Sequence, residues 1–141
     1  MTDHEALQII MKVIDLRASA PYQAAEAQRR RSGAATMARM DQDSIEHAAV
    51  RLLIGTWDRI AMFVQDFDER QRNRFFRCNP VWLIWLTLEP AIRIIRESGT
   101  VGPRFAREFE ELARRYQEWT RTPPGQEFRT EAEQAVCALF A

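Results

Sequence analysis

Apolar side chains recur every three or four positions along most of the chain, and no stretch alternates apolar with polar residues as a half-buried strand does. The longest such pattern follows Asp43, which with Glu46 three residues later is typical of a helix start. Two neighbouring apolar stripes then cover over half of the helix circumference. This width predicts a central helix that contacts other helices on two sides. The stripes are Ile45, Ala49, Leu52, Leu53, Thr56, Ile60 and Phe63, and Val50, Ile54, Trp57, Ala61 and Val64.

Shorter helical patterns flank this central one. The first runs from about Asp3 to Arg17, with Leu7, Ile10, Met11 and Ile14 on one face, which Ile9, Val13 and Leu16 widen. A short helix is expected from Asp68 to Asn79-Pro80, and the next from Pro80 to about Glu97, with a kink at Pro90 because an interior proline removes a backbone donor.

Two further helices are predicted towards the end of the chain. Gly102-Pro103 is expected to open an amphipathic helix that carries Phe109 and Trp119. After a turn at Thr122 to Gly125, a short closing helix should hold the C-terminus on the core. The whole pattern predicts one all-α domain over residues 1–141, a bundle of five or six helices without a sheet. The apolar positions of the closing helix are Phe128, Ala132, Ala135, Val136 and Leu139.

The segment 18–40 differs from the rest. It contains Pro21, eight alanines and the run Arg29 to Arg31, so it has high helix propensity but little apolar bulk to bury. We expect it either to extend the first helix as an exposed arm or to form a mobile connection that ends near Ser32-Gly33.

Charge and composition narrow the class of protein. Twenty basic residues balance twenty acidic ones, so no overall field attracts the chain to nucleic acid or to an anionic membrane. The longest apolar run, Val81 to Leu88, is far shorter than the roughly 20 residues that span a bilayer. The N-terminus is acidic where a secretory signal is basic. We therefore expect a cytoplasmic protein with no membrane partner, in which Cys78 and Cys137 are small buried hydrophobic residues.

No motif for catalysis or for a cofactor stands out. The sequence has two histidines, no cysteine or histidine pair at metal-ligand spacing, and neither a nucleophile elbow nor a glycine-rich phosphate loop. Its carboxylates fall mostly at salt-bridge spacing on polar helix faces. The sequence thus predicts a protein that is not an enzyme and needs no cofactor.

One anomaly lies in the helix that begins at Pro80. Trp82 and Leu86 project into an arc whose other members are polar, next to Glu89 and Arg93. A tryptophan there needs cover, either from the 18–40 segment or from a second molecule, and an aromatic residue beside an arginine is typical of an interface hot spot. Trp82, Leu86, Glu89 and Arg93 are the candidate protein interface, for another protein or for a second copy.

A second candidate surface is the arginine cluster Arg70, Arg72, Arg74 and Arg77, which is interleaved with Phe75 and Phe76. Guanidinium groups beside rings are typical of nucleic-acid or phosphate contacts. Salt bridges to Asp66, Asp68 and Glu69 are the alternative reading of these arginines. For Arg29 to Arg31 there are likewise two interpretations, a solvated helix face or linker, or an additional anion contact.

The order of features from Arg51 to Trp119 resembles an uncharacterised bacterial family, domain of unknown function 4760. The matching features are Leu52-Leu53 with Trp57-Asp58-Arg59, then Val81-Trp82-Leu83-Ile84-Trp85 with Leu88-Glu89-Pro90 and Arg93, then Phe109-Glu110-Glu111-Leu112-Ala113. This resemblance covers about half of the chain. It implies a helical bundle and no particular activity.

Three hypotheses about function follow. The leading one is a non-enzymatic protein-interaction or regulatory module that uses the Trp82 face. The alternative is a nucleic-acid or phosphate binder that uses Arg70 to Arg77. The third is an enzyme with an active site in a pocket between helices, which would require buried carboxylates or a perturbed histidine in a cleft.

Overall fold

Residues 1–140, which the computed structural model describes, form eight α-helices. No strand occurs among them, which confirms the all-α prediction, but the predicted number of five or six helices is wrong. The two additional helices come from the 18–40 segment. The helices are α1 (Asp3–Ala18), α2 (Ala20–Ser32), α3 (Ala34–Arg39), α4 (Ile45–Val64), α5 (Glu69–Cys78), α6 (Val81–Glu97), α7 (Arg107–Thr120) and α8 (Pro123–Phe140).

Helix α4 occupies the centre of the bundle and contacts α1, α2, α3, α6 and α7. Val50, Ile54 and Trp57 from one predicted stripe are completely buried. The other stripe is only partly buried, since Ile45 is 83% exposed and Phe63 is 38% exposed. The helix starts one residue later than expected, because the Ser44 hydroxyl, and not Asp43, accepts the hydrogen bond from the His47 amide.

The 18–40 segment is neither an exposed arm nor a connection without structure. Helix α2 packs on α4, α3 packs on both α4 and α6, and Tyr22 and Met37 are buried in the core. The expectation was wrong because it counted apolar bulk. Small alanines such as Ala25 and Ala34 instead let the helices approach closely, and both are buried.

The N-terminal helix buries only part of its predicted apolar surface. Helix α1 buries Ala6, Ile10 and Val13, whereas Met11 and Ile14 are 57% and 50% exposed. Side-chain bulk alone did not identify the inward residues, because the small Ala6 is buried while the larger Met11 and Ile14 are exposed.

The C-terminal region departs furthest from expectation. The segment after Gly102-Pro103 is a series of turns, and α7 starts only at Arg107, after Ala106 in the left-handed conformation (φ 61°). The predicted turn at Thr122 to Gly125 is the first turn of α8, where proline at the first position suits a helix start. Beyond half-buried Phe128, residues 129–139 are exposed, so α8 does not close the core.

The two cysteines also contradict the prediction of burial. Cys78 and Cys137 are both exposed and unpaired. Cys78 lies at the last residue of α5 and Cys137 lies on the projecting part of α8, so neither position faces the core.

A hydrogen bond between two buried aromatic side chains joins α2 to α4. The Trp57 indole N–H donates to the Tyr22 hydroxyl over 2.8 Å, and both residues are buried. Replacing Tyr22 with Phe leaves this N–H without an acceptor, so we expect Tyr22→Phe to lower the free energy of unfolding by about 1–3 kcal/mol.

Tyr116→Phe is the matched control, because the hydroxyl of half-buried Tyr116 has no hydrogen-bond partner among residues 1–140. We expect a change below about 0.5 kcal/mol for this variant. Urea denaturation followed by circular dichroism measures both. An equal loss of unfolding free energy in Tyr22→Phe and Tyr116→Phe would contradict a stabilising role for the Trp57–Tyr22 hydrogen bond.

The start of α8 depends on a glycine. A Cβ atom at Gly125 would overlap the Trp119 carbonyl oxygen of α7, so Gly125→Ala should destabilise the protein by about 1–3 kcal/mol. A Cβ atom at Gly55, inside α4, would meet no neighbour within 4 Å. Gly55→Ala should therefore stabilise the protein by about 0.5–1 kcal/mol. The thermal midpoint should therefore fall for Gly125→Ala and rise for Gly55→Ala. A Gly125→Ala variant with the midpoint of the wild type would contradict the close approach of α8 to α7.

Candidate protein interface on helix α6

Helix α6 carries apolar side chains on its outer side as well as on its inner side, and on the outer side they lie among charged residues. Its inner side chains Val81, Trp85, Leu88 and Ile92 are buried and belong to the core. Helices α3, α4 and α7 contact α6 from this side. Large apolar side chains that stay exposed next to polar ones often mark an interaction site. The outer face of α6 is therefore the first place to look for a partner.

Three exposed apolar residues follow one line along the outer face. Leu83 and Leu86 are 60% and 51% exposed, and Pro90 is also exposed. The spacings of three and four residues place these side chains on one side of the helix. We call Leu83, Leu86 and Pro90 the outer face of α6. Half-buried Trp82 and Ile94 lie at its edges and pack against the core.

The sequence-predicted interface residues lie along one flank of this outer face. Trp82 is half-buried, Leu86 is exposed, and Arg93 donates to Glu89 over 2.7 Å in an exposed ion pair. The prediction omitted Leu83 and Pro90. The signal that identifies them is their spacing of three and four residues from Leu86.

The 18–40 segment lies beside α6 without covering its outer face. Helix α3 packs on α6, and α2 lies across a cleft from Leu83 and Thr87. Leu83 and Leu86 are still more than half exposed. The 18–40 segment therefore does not cover this side of α6 completely.

A cleft of about 300 Å³ separates α2 from the start of α6. Three arginines and one glutamate line it, together with one residue of the outer face of α6. We call it the arginine cleft. Its main lining residues are Arg17, Tyr22, Glu26, Arg29, Arg30 and Leu83.

The three arginines of this cleft are held differently. Arg29 donates to both carboxylate oxygens of Glu26, over 2.9 and 3.1 Å. Arg17 donates to the Asn79 side-chain oxygen over 2.9 Å and lies 5.5 Å from the centroid of the Trp57 ring. Within residues 1–140, neither Arg17 nor Arg30 forms an ion pair. The cleft therefore carries positive charge that no neighbouring acid balances.

The Arg70 to Arg77 cluster is divided among three places. Arg70 pairs with Asp3 over 3.3 Å, and Arg74 lines the same small cleft between α1 and α5. Arg72 faces α7 from another cleft. Arg77 pairs with Glu131 over 2.8 Å and lies over the Phe128 ring. The structure therefore does not bring the four arginines to one surface.

Comparisons with known proteins do not identify the chain. No family model matches it, and neither a curated protein nor a solved structure matches it. The resemblance to domain of unknown function 4760 therefore stays a prediction. Across the described part of the chain, no helix is both long and apolar enough to cross a bilayer, and no three metal-ligating side chains cluster.

Both tyrosines of the chain should lose their hydroxyl protons at a higher pH than a solvent-exposed tyrosine does. Burial raises the pKa of Tyr22 above its ordinary value of 10.0, against the opposing effect of the hydrogen bond from Trp57, and burial also raises the pKa of Tyr116. The unfolded chain therefore releases these protons first. Their contribution to stability is complete below about pH 10 and is lost as the pH rises towards the folded-state values.

We expect the phenolate absorbance at 295 nm to rise at higher pH in the native protein than in the protein denatured by guanidinium. Since the chain has two tyrosines, the signal comes from these two groups alone. Coincident titration curves for the native and denatured protein would contradict the burial of both rings.

Proposed function

We propose that this chain is a non-enzymatic protein-interaction module whose binding surface is the outer face of α6, with Trp82, Glu89 and Arg93 at its edge. One observation carries the proposal: α6 presents exposed apolar side chains among charged ones on its outer side, and the described chain covers them only in part. A partner that seats an apolar surface on Leu83 and Leu86 would complete the burial of this helix.

The energetics favour a contact of this kind. Full burial of a leucine side chain contributes about 1.5–3 kcal/mol. Leu83 and Leu86 are 60% and 51% exposed, so part of that contribution is still available to a partner. The half-buried tryptophan and the Glu89–Arg93 pair at the edge match the composition of hot spots and their polar rims.

A second apolar surface lies between α2 and α4, where Ile45 and Leu52 are exposed. Its other walls are mainly small alanines, such as Ala24, Ala48 and Ala49. These offer less area to a partner and no aromatic anchor, so the outer face of α6 is the stronger candidate.

The test is affinity purification from the source cells with three forms of the chain. Leu86→Glu places a charge on the outer face of α6, and Val136→Glu makes a similar change on α8, where Val136 is 53% exposed. We expect the wild type and Val136→Glu to retain the same partner, and Leu86→Glu to reduce its recovery at least about tenfold.

Circular dichroism should give the same helix content and thermal midpoint for all three forms, because both positions are exposed. Size-exclusion chromatography with light scattering distinguishes a second copy of the chain from another protein. A partner recovered equally well by Leu86→Glu, or a chain that stays monomeric and recovers nothing, would overturn the proposal.

A further inference from the structure

The outer face of α6 and the arginine cleft meet at one residue. Leu83 is the first exposed leucine of the outer face and also forms one wall of the cleft, opposite Arg17 and Arg30. A single ligand on α6 can thus contact an apolar line and a cationic site together.

The cleft is more positive than the molecule as a whole. The chain has equal numbers of acidic and basic residues. Three arginines and one glutamate line the cleft, and both carboxylate oxygens of Glu26 accept from Arg29. Arg17 and Arg30 are therefore left as charges without a counter-ion among the described residues.

Arg17 is the more informative of these two cations. It is half-buried, it donates to the neutral amide oxygen of Asn79, and its Nε is buried with no hydrogen-bond partner in the described chain. Burial of an uncompensated charge is costly, and an anion nearby offsets that cost. The guanidinium is also held in place by the Trp57 ring, so a ligand meets a fixed cation.

We propose that the binding segment of the partner is an amphipathic helix with acidic residues at one end. This inference rests on the proposed function and names the chemistry of the partner. The apolar side of such a helix packs along Leu83, Leu86 and Pro90, which follow the i, i+3, i+7 spacing of a helical line. Its carboxylates enter the arginine cleft and pair with Arg30 and Arg17.

The surface favours an acidic helix over a nucleic acid. Nucleic-acid sites combine cations with aromatic rings on which bases stack. The one aromatic side chain that lines the cleft, Tyr22, is buried and hydrogen-bonded to Trp57. The exposed apolar residues beside and beyond the cations are Leu83, Leu86 and Pro90, which are not aromatic. Aliphatic side chains match the apolar side of a helix and give bases no stacking surface.

The experiment selects ligands without assuming their sequence. A phage-displayed library of α-helical peptides of about 16 residues, randomised along one face, is panned against the whole chain. We expect the selected helices to carry leucine or a similar residue at helical spacing and several Asp or Glu residues at one end. Their affinity should fall as the salt concentration rises, because ion pairs form on binding.

Four forms of the protein then locate the contacts. Arg30→Glu reverses a cation of the cleft, and Arg31→Glu makes the same change at the next residue, which lines the α2–α4 groove instead. We expect Arg30→Glu and Leu86→Glu each to weaken binding of a selected peptide at least about tenfold relative to the wild type. Arg31→Glu should stay within about twofold.

The outcomes separate this inference from the proposed function. Selected helices that are neutral or basic, an unaffected Arg30→Glu variant, or the absence of any selected helix would overturn the acidic partner. Short single-stranded DNA that competes with the peptides in an Arg30-dependent way would also overturn it. In each of these cases the loss of the cellular partner by Leu86→Glu would still support the α6 interface.

Discussion

The buried indole of Trp57 is the contact on which the arrangement of the helices depends. It lies on the central helix α4, donates to Tyr22 of α2, and has Arg17 of α1 over its ring. Its ring also stacks on Phe109 of α7, with centroids 6.0 Å apart. One side chain thus sets the positions of three helices around α4. Because α2 is held this way, the arginine cleft lies beside α6.

The neighbouring residue Asp58 adds a polar connection to this centre. Its carboxylate accepts from the Phe109 backbone N–H over 3.0 Å, one of the first amides of α7, which have no partner within the helix. On α6, Arg96 donates to the Phe105 carbonyl oxygen and to Glu110. Helix α7 is therefore held against the inner side of α6 by polar as well as aromatic contacts. The outer face of α6 has no comparable cover, so its leucines stay exposed while the inner side chains are buried.

The sequence predicted the parts of the fold that depend on the apolar period. Helix α5 begins after Asp68 as expected, and Val50, Ile54 and Trp57 lie in the core. The prediction failed where small residues decide the packing. Ala6 and Ala25 are buried through close helix contacts, while bulkier Met11 and Ile45 are exposed. On the outer side of α6 the sequence singled out Leu86 and Trp82 as a candidate interface. It missed the arginine cleft, because the residues that line it come from α1, α2 and α6 and meet only in the folded bundle.

The chain by itself leaves Leu83 and Leu86 on the outer face of α6 exposed, and we propose that a partner covers them. Hydroxyl-radical footprinting with residue-level mass spectrometry measures this directly, on the purified chain and on the chain in its source cells. We predict strong oxidation of Leu83 and Leu86 in the purified chain and protection in cells, with buried Trp57 and Phe109 unmodified in both. Equal oxidation of Leu83 and Leu86 in the two samples would contradict the proposal that a partner covers this face in cells.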